Sequence, residues 1–451
     1  MRETLHKLLS SLKGKSMGVN ACRLLLAVVF ILSGFVKAVD PLGTQYKIED
    51  YLEAMGLENL LPDFLTLAAS VLQSAVEFCL GVFLLFAIRR RLVSRLVLAV
   101  LLVMTPLTLW LAITNPISDC GCFGDAIRLT NWQTFWKNVV LLAAAIVVAR
   151  WPLKMFRFVS ESNQWIVINY TAVFIVATSA WCLYDLPVFD FRPYHIGANI
   201  KEGMTMPEDA EPPQYETTFI LEKDGKQREF TLDEYPDSTW TFVDSRTVMT
   251  SEGYVPPIHD FSMSLLSDDE EDEDITDSVL TRNGYTMLLI SPHLDQADDS
   301  RLDLINELYE YCRQHRYPFY CLTASPRNDI SRWRDVTGAE YPFCATDETT
   351  LKTIIRSNPG LLLLKDGTII RKWSHNNLPA IDENMQVKPL EQLPFGQMPA
   401  DSVPGKILRL LLWFVLPLTL LAIADRMWMW TRWLRRKKHK PQESMEPHQS
   451  N

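Results

Sequence analysis

The sequence lacks a phosphate-cradling glycine loop and any Walker-type motif, and no convincing internal repeat runs through its 451 residues. The common nucleotide-dependent chemistries and stacked-repeat architectures therefore find no footing in it. Charge is scarce too: only 22% of residues are charged, with 44 Lys and Arg against 54 Asp and Glu, a net of −10. An acidic balance of this kind speaks against a nucleic-acid binder. No small-x-small cleavage site follows the first apolar run, where "FVKAVDP" stands instead. That run therefore reads as an anchor rather than a cleaved leader.

Mean hydropathy lies near zero, so few charges must coexist with very polar segments. Six runs are long and apolar enough for a bilayer, which takes ~20 residues: about 21–39, 63–87, 92–114, 132–150, 165–183 and 407–425. Basic residues flank them unevenly. The N-terminal arm, "RRRLVSR" between spans two and three, Arg150, Lys154 and Arg157 between spans four and five, and "RMWMWTRWLRRKKHK" after span six fall on one side. By the positive-inside rule that side is cytoplasmic. The other side receives the loops 40–62 and 115–131 and the large region 184–406. Trp428, Trp430 and Trp433 read as an interfacial belt on the last span, and the basic tail beyond suits anionic lipid heads.

Residues 1–160 read as a four-span unit with short loops, hence antiparallel neighbours. A fifth span (161–184) returns the chain outward. Residues 185–256 read as a β-rich spacer, with two alternating runs around Asp224–Gly225 as a hairpin signal. Pro212–Pro213 and Pro256–Pro257 bracket it. Residues 257–400 alternate strand and helix, an α/β pattern, interrupted by the acidic run "SDDEEDED" at 267–274. The sixth span and tail occupy 401–451.

Within this frame "NPISDCGCFGD" stands out, with Cys120 and Cys122 flanking one glycine between Asp119 and Asp125. It falls on the outward side, where disulfides persist. Two residues span at most ~7 Å, and a disulfide wants Cα atoms ~4.4–6.8 Å apart. A bent Gly121 would permit a Cys120–Cys122 bond of the labile, oxidising kind. A static disulfide, two free thiols or a soft-metal site are the other readings of the same residues. Cys182, at the outward end of span five, is a topologically possible partner. Cys312 and Cys321 read as small core residues, and Cys344 lacks a clear partner. Glu77 within span two and Lys37 near the outer end of span one are ionisable at membrane depth. Such groups face a bundle interior, either as a proton or quinone-head-group site or as a packing ion pair. His293 and Asp295 read as a solvated loop, since nothing nucleophilic accompanies them.

Three stretches in order resemble the DoxX/MauE family of small bacterial membrane proteins: "CRLLLAVVFILSGFVKAVDP" with Arg23, Gly34 and Lys37, "AVEFCLGVFLLF" with Glu77 and Gly81, and "CGCFGD" followed by "NWQTFWKNVVLL". The resemblance implies a bacterial envelope protein of redox metabolism, with MauE-like members tied to disulfide-dependent maturation and DoxX to quinone-linked oxidation. Region 257–375 resembles the thioredoxin superfamily, which marks Pro359, in "NPGLLLL", as the cis-proline. Where that fold carries Cys-x-x-Cys, this chain reads "SPHLDQAD". The joined architecture resembles Bacteroidetes DoxX-family proteins.

The expectation is an α-helical membrane bundle of four spans plus a fifth and a C-terminal sixth, with a periplasmic α/β thioredoxin-like domain. Its setting is the bacterial inner membrane, with both termini cytoplasmic. The bundle would exchange electrons between a periplasmic thiol partner and quinone through Cys120 and Cys122, with Glu77, Lys37 and Arg23 as intramembrane candidates. A non-enzymatic scaffold or maturation factor, docking partners through the degenerate thioredoxin-like domain, is the alternative. A transporter is disfavoured by the few polar residues within the spans.

Overall fold

The computed structural model describes every residue except 1, 58–59, 118–119, 208, 212–213, 224–225, 232–235, 237–239, 252, 268–270, 401–402 and 439–451. Asp119, Pro212–Pro213, the Asp224–Gly225 pair, part of the acidic run and the end of the basic tail lie outside the described residues. The chain divides into two units, Met1–Phe191 with Pro399–Asn451, and Arg192–Met398.

The first unit is helical: α1 (Arg2–Val39), α2 (Pro41–Ala54), α3 (Asp63–Phe86), α4 (Arg90–Thr114), α5 (Asn131–Arg150), α6 (Gln164–Tyr184) and a C-terminal helix, Val403–Leu410 and Leu416–Lys438, joined by a π-helical turn at Leu411–Val415. Six stretches are long and apolar enough to cross a membrane: Ser16–Val39, Asp63–Phe86, Arg90–Thr114, Asn131–Arg150, Glu161–Tyr184 and Val403–Arg435. They correspond to the six runs in the sequence, and the chain is a multi-pass membrane protein.

In lipid the hydrophobic effect does not drive helix against helix, so close packing must. α1 and α3 achieve it through two glycines. A Cβ on Gly34 would sit 2.3 Å from the Phe78 backbone nitrogen, and one on Gly81 would sit 2.7 Å from that of Ile31. On one side of this pair a core forms with α4 and α5 from Leu26, Phe30, Leu84, Val97, Leu141 and Val148. On the other a second core forms with α6 and the C-terminal helix, where Phe414 lies 5.2 Å from Phe78 and 4.3 Å from Phe174 between ring centroids.

The basic links gather at one end of the unit. Asn20 Nδ2 donates to the Lys154 carbonyl (3.2 Å) and Arg90 to those of Leu153 and Met155 (2.9 Å each). Asp425 of the C-terminal helix accepts from the Ser160 backbone N–H (2.7 Å), the Ser160 hydroxyl (2.6 Å) and Asn163 Nδ2 (2.6 Å). Asp425 thus ties the C-terminal helix to the link between spans four and five.

Segment 40–62, read as a loop, contains a helix instead. Asp40 caps α2 by accepting from the Gly43 N–H at 2.9 Å, and Pro41 stands at the first helical position. Both are helix-start signals. α2 docks on α3 through Ser70, whose hydroxyl donates to the Pro41 carbonyl at 2.6 Å.

The second unit holds a helix α7 (Ile200–Met204) and two sheets. Strands β1 (Gln214–Lys223), β2 (Lys226–Thr231) and β3 (Thr241–Ser251) form one, in the order β2-β1-β3. The other uses β4 (Ser264–Leu265), β5 (Glu273–Asp274), helix α8 (Thr276–Leu280), β6 (Tyr285–Ile290), α9 (Leu302–His315), β7 (Phe319–Thr323), α10 (Arg327–Thr337), β8 (Phe343–Ala345), α11 (Glu348–Ile354), β9 (Gly360–Lys365) and β10 (Thr368–Ser374). Its order is β10-β9-β6-β7-β8-β4-β5. β6, β7 and β8 run parallel, while β9 is antiparallel to β6 and β10. This parallel βαβ core closed by an antiparallel hairpin is thioredoxin-like. All six residues of β6 are buried, as a central strand covered on both faces requires. Residues near 199, read from sequence as spacer, extend this sheet: Asn199 bridges Thr368, and Ile200 N–H donates to the Gly367 carbonyl at 3.0 Å.

A Gly34→Ala variant tests the α1–α3 contact. The methyl would meet backbone, which cannot rotate aside, so overpacking costs about 1–3 kcal/mol. Thermal unfolding of the detergent-solubilised chain is expected to fall by several degrees, whereas Gly18→Ala, with nothing within 4 Å, leaves it in place.

Candidate functional site

The site begins with the buried pair on α1 and α3. Lys37 Nζ lies 2.8 and 2.9 Å from the two carboxylate oxygens of Glu77, with the side chains 7% and 11% exposed. A charge this deep persists only when matched. Gln73 adds a bond to Glu77 at 3.3 Å. Ser33, one turn before Lys37, has its hydroxyl 2.7 Å from both Glu77 Oε2 and the Cys122 carbonyl oxygen. Its single proton serves one acceptor at a time.

Through Ser33 the ion pair is tied to the loop between α4 and α5. That loop is held from three sides. Tyr51 of α2 donates its hydroxyl to the Cys120 carbonyl at 2.7 Å. Asn131 Nδ2 donates to Asn115 Oδ1 (2.8 Å) and the Ile117 carbonyl (2.7 Å). Thr130 and Gln133 form a reciprocal capping box that starts α5. Gly121 has φ +61° and Gly124 φ +50°, left-handed values that glycine adopts without strain. The turn folds the two sulfurs toward each other, Cys120 Sγ to Cys122 Sγ 2.6 Å.

The sulfurs and the ion pair line one cavity of about 160 Å³. Phe30, Leu101 and Leu141 give it an apolar wall, and Lys47 and Lys137 join Lys37 on its polar side. Lys47 is 3.5 Å from Asp50. The Lys137 ammonium stands 4.6 Å from the Phe123 ring centroid. The two thiols are unequal. The hydrogen bond from Cys120 lowers the Cys122 thiol to about 6 against the opposing effect of burial, and Lys137 and Lys37 act in the same direction as that bond. Cys120, as holder of the shared proton and by burial, is pushed up.

Of the residues singled out from sequence, the structure brings together Cys120, Cys122, Lys37 and Glu77. Arg23 is elsewhere: it is buried at the basic end, donating to the Phe156 carbonyl at 2.5 Å with its guanidinium 5.5 Å from the Phe158 ring centroid. Cys182 is not joined to the turn; it is buried in α6, with its thiol against the Val188 backbone. Ser33, Tyr51 and Lys137 were missed. The helical spacing Ser33–Lys37 was the available signal for the first. In the second unit the Asn358–Pro359 peptide is cis. The dithiol position holds His293, whose Nε2 lies 2.9 Å from Glu348 Oε1, not at Asp295. Among the described residues no group of three or more His, Cys, Asp or Glu could hold a metal ion.

A polytopic helical bundle with a buried ion pair under a Cys-Gly-Cys turn is the class that fold and site define. Residues 15–150 match the family described as methylamine utilisation protein MauE, and this part of the chain is similar to that family. Residues 215–252 match a domain of unknown function, DUF8463. A solution structure of a candidate protein disulfide isomerase from Bacteroides thetaiotaomicron is 16% identical, covering 26% of this chain and 76% of that one, with a TM-score of 0.22. No curated protein matches.

Removing one member of the ion pair leaves the other buried and uncompensated, at about 3–5 kcal/mol. Lys37→Met and Glu77→Leu are each expected to lower the unfolding temperature strongly, and the double variant to recover most of the loss. A double variant as unstable as the sum of the singles would remove the pair's coupling.

Proposed function

We propose that the chain is a thiol–disulfide oxidoreductase of the bacterial inner membrane, carrying electrons from a periplasmic protein dithiol to a lipid-soluble quinone. The observation that carries this reading is the placement of two adjacent sulfurs on the wall of a 160 Å³ cavity, since an apolar cavity of ~150 Å³ holds one benzene ring. The partner's two thiols become a disulfide while the Cys120–Cys122 disulfide becomes two thiols. The quinone then takes two electrons and two protons from the pair and leaves as quinol. Lys37 and Glu77 set the polarity of the cavity beneath. The cysteine turn lies opposite the basic end, which supports its facing the periplasm.

One observation favours the rival reading of a docking scaffold. The thioredoxin-like domain has His293 paired with Glu348, and Glu348 with Lys352 at 2.5 Å, where a dithiol would stand. In that reading Cys120 and Cys122 are static.

Acid quenching of intact cells, followed by alkylation and mass spectrometry, separates the two. Cys120 and Cys122 are expected to accumulate as thiols when quinone reoxidation is blocked and as a disulfide when it is restored. A Cys120→Ser, Cys122→Ser chain is expected to leave its envelope substrates reduced. A pair fixed in one state regardless of the quinone pool would sink the redox reading and leave the scaffold.

A further inference from the structure

The two cysteines of the turn sit in one cavity and both feel Lys137, while Cys122 also feels Lys37 and Glu77. Lys137 approaches from α5, Lys37 from α1, Glu77 from α3, and Lys47 and Tyr51 from α2. Most of these are already engaged. Lys37 is held by both oxygens of Glu77, Lys47 has Asp50 nearby, and Tyr51 donates to the Cys120 carbonyl. Lys137 differs. Its ammonium contacts the ring of Phe123, the residue after Cys122, and among the described residues it joins no ion pair. Its place is fixed by the capping box at Thr130, two turns earlier on α5.

Building on the redox reading above, we propose that Lys137 is a positioning residue that holds Cys122 as the thiolate of the pair. Cys122 then works toward the cavity, and Cys120 is the sulfur that exchanges with the partner protein. Chemistry fixes the order. In thiol exchange the sulfur with the lower pKa leaves faster. A partner thiolate attacks Cys120 Sγ, the Cys120–Cys122 bond breaks, and Cys122 departs as the thiolate that the Lys137 ammonium neutralises. The partner's second thiol loses its proton and attacks its own sulfur bound to Cys120. The partner leaves as a disulfide, and Cys120 takes up the proton. In reoxidation the Cys122 thiolate and the Cys120 thiol form the S–S bond again. Quinone receives the two electrons, with the Cys120 proton and one more from solution, and becomes quinol.

The Cys122 thiol is lowered first by the hydrogen bond from Cys120 and then by Lys137 and Lys37; Lys137 also favours a Cys120 thiolate, but the shared proton and burial outweigh it there. A neighbouring opposite charge shifts a titration by ~1–3 units.

The test uses the reduced full-length chain in phosphatidylethanolamine–phosphatidylglycerol nanodiscs. Iodoacetamide labelling is followed against pH and assigned to each cysteine by fragment mass spectrometry. Cys122 is expected to label first, with a midpoint below the ordinary thiol value, and Lys137→Met to move that midpoint up by about one unit or more. Lys137→Arg is expected to keep it low. Should Lys137→Met fail to fold, Lys137→Gln is read the same way. A second measurement needs no variant: the oxidised chain, given one equivalent of a single-cysteine peptide, forms its mixed disulfide at Cys120. An unmoved midpoint in the neutral variants, or a mixed disulfide at Cys122, overturns the assignment. Failure of the pair to cycle in cells, with the Lys137-dependent midpoint intact, would overturn the quinone-linked reading instead.

Discussion

Lys37 and Glu77 carry opposite charges at a depth where neither survives alone, and the arrangement around them follows from that requirement. Two oxygens and one ammonium at 2.8 and 2.9 Å demand that α1 and α3 approach closely. Leucine-sized residues at the crossing would hold the helices apart. Gly34 and Gly81 remove the obstruction on both sides, and their missing side chains are what the neighbouring backbones fill. A buried pair is weak evidence of stability in itself, because well-packed apolar residues can serve as well. Its worth here is register. Only one rotation of α1 against α3 places Lys37 on Glu77, and that rotation also turns Ser33 toward the Cys122 carbonyl.

The loop between α4 and α5 inherits its shape from that register. Ser33 holds the Cys122 carbonyl, Tyr51 that of Cys120, and Gly121 between them supplies the left-handed residue. A larger residue at Gly121 would be strained in φ and would bring its Cβ to 3.1 Å from the Lys47 side chain. The cysteines are therefore presented by backbone contacts, with their sulfurs against each other on the cavity wall and Tyr51 also bonded to Cys120. With Lys37, Lys47 and Lys137 on its walls, the cavity favours a negative charge beside the loop. Thiolate is the charge this site can generate by itself.

Much of the membrane unit was legible because bilayer spans are marked by length and hydropathy. Gly34, Lys37, Glu77 and Gly81 were visible as exceptions within apolar runs. Arg23 was visible for the same reason, yet it belongs to the basic end. Depth along a span cannot say which partner a long side chain reaches. α2 was missed because its composition is polar, although Asp40–Pro41 carried the start signal. Lys137 lay hidden among the residues of a helix start, and only tertiary packing brings it to the cavity that Cys122 lines. In the second unit the strand–helix alternation and the Asp366–Gly367 turn, with φ +52° and +74°, were readable. The segment near Asn199 joins the thioredoxin-like sheet through backbone bonds, which leave no mark on side-chain pattern.

The remaining thiols sharpen the contrast. Cys312, Cys321 and Cys344 are fully buried in the thioredoxin-like core. Burial pushes Cys312 and Cys344 up to about 12, and Cys321 well above the ordinary thiol value. A thiol in that state is a small apolar residue, since the thiolate is the nucleophile. Cys122 is partly buried, and burial raises it too, yet its titration moves the other way. Burial alone therefore does not decide the reactivity of these cysteines. The difference is a second sulfur at 2.6 Å and ammonium groups on the same cavity wall. A lone cysteine in the same cavity would lose the shared proton, and a pair in an uncharged one would lose the cation. The turn between spans three and four has both, which is why the redox chemistry proposed for this chain is assigned to its membrane unit.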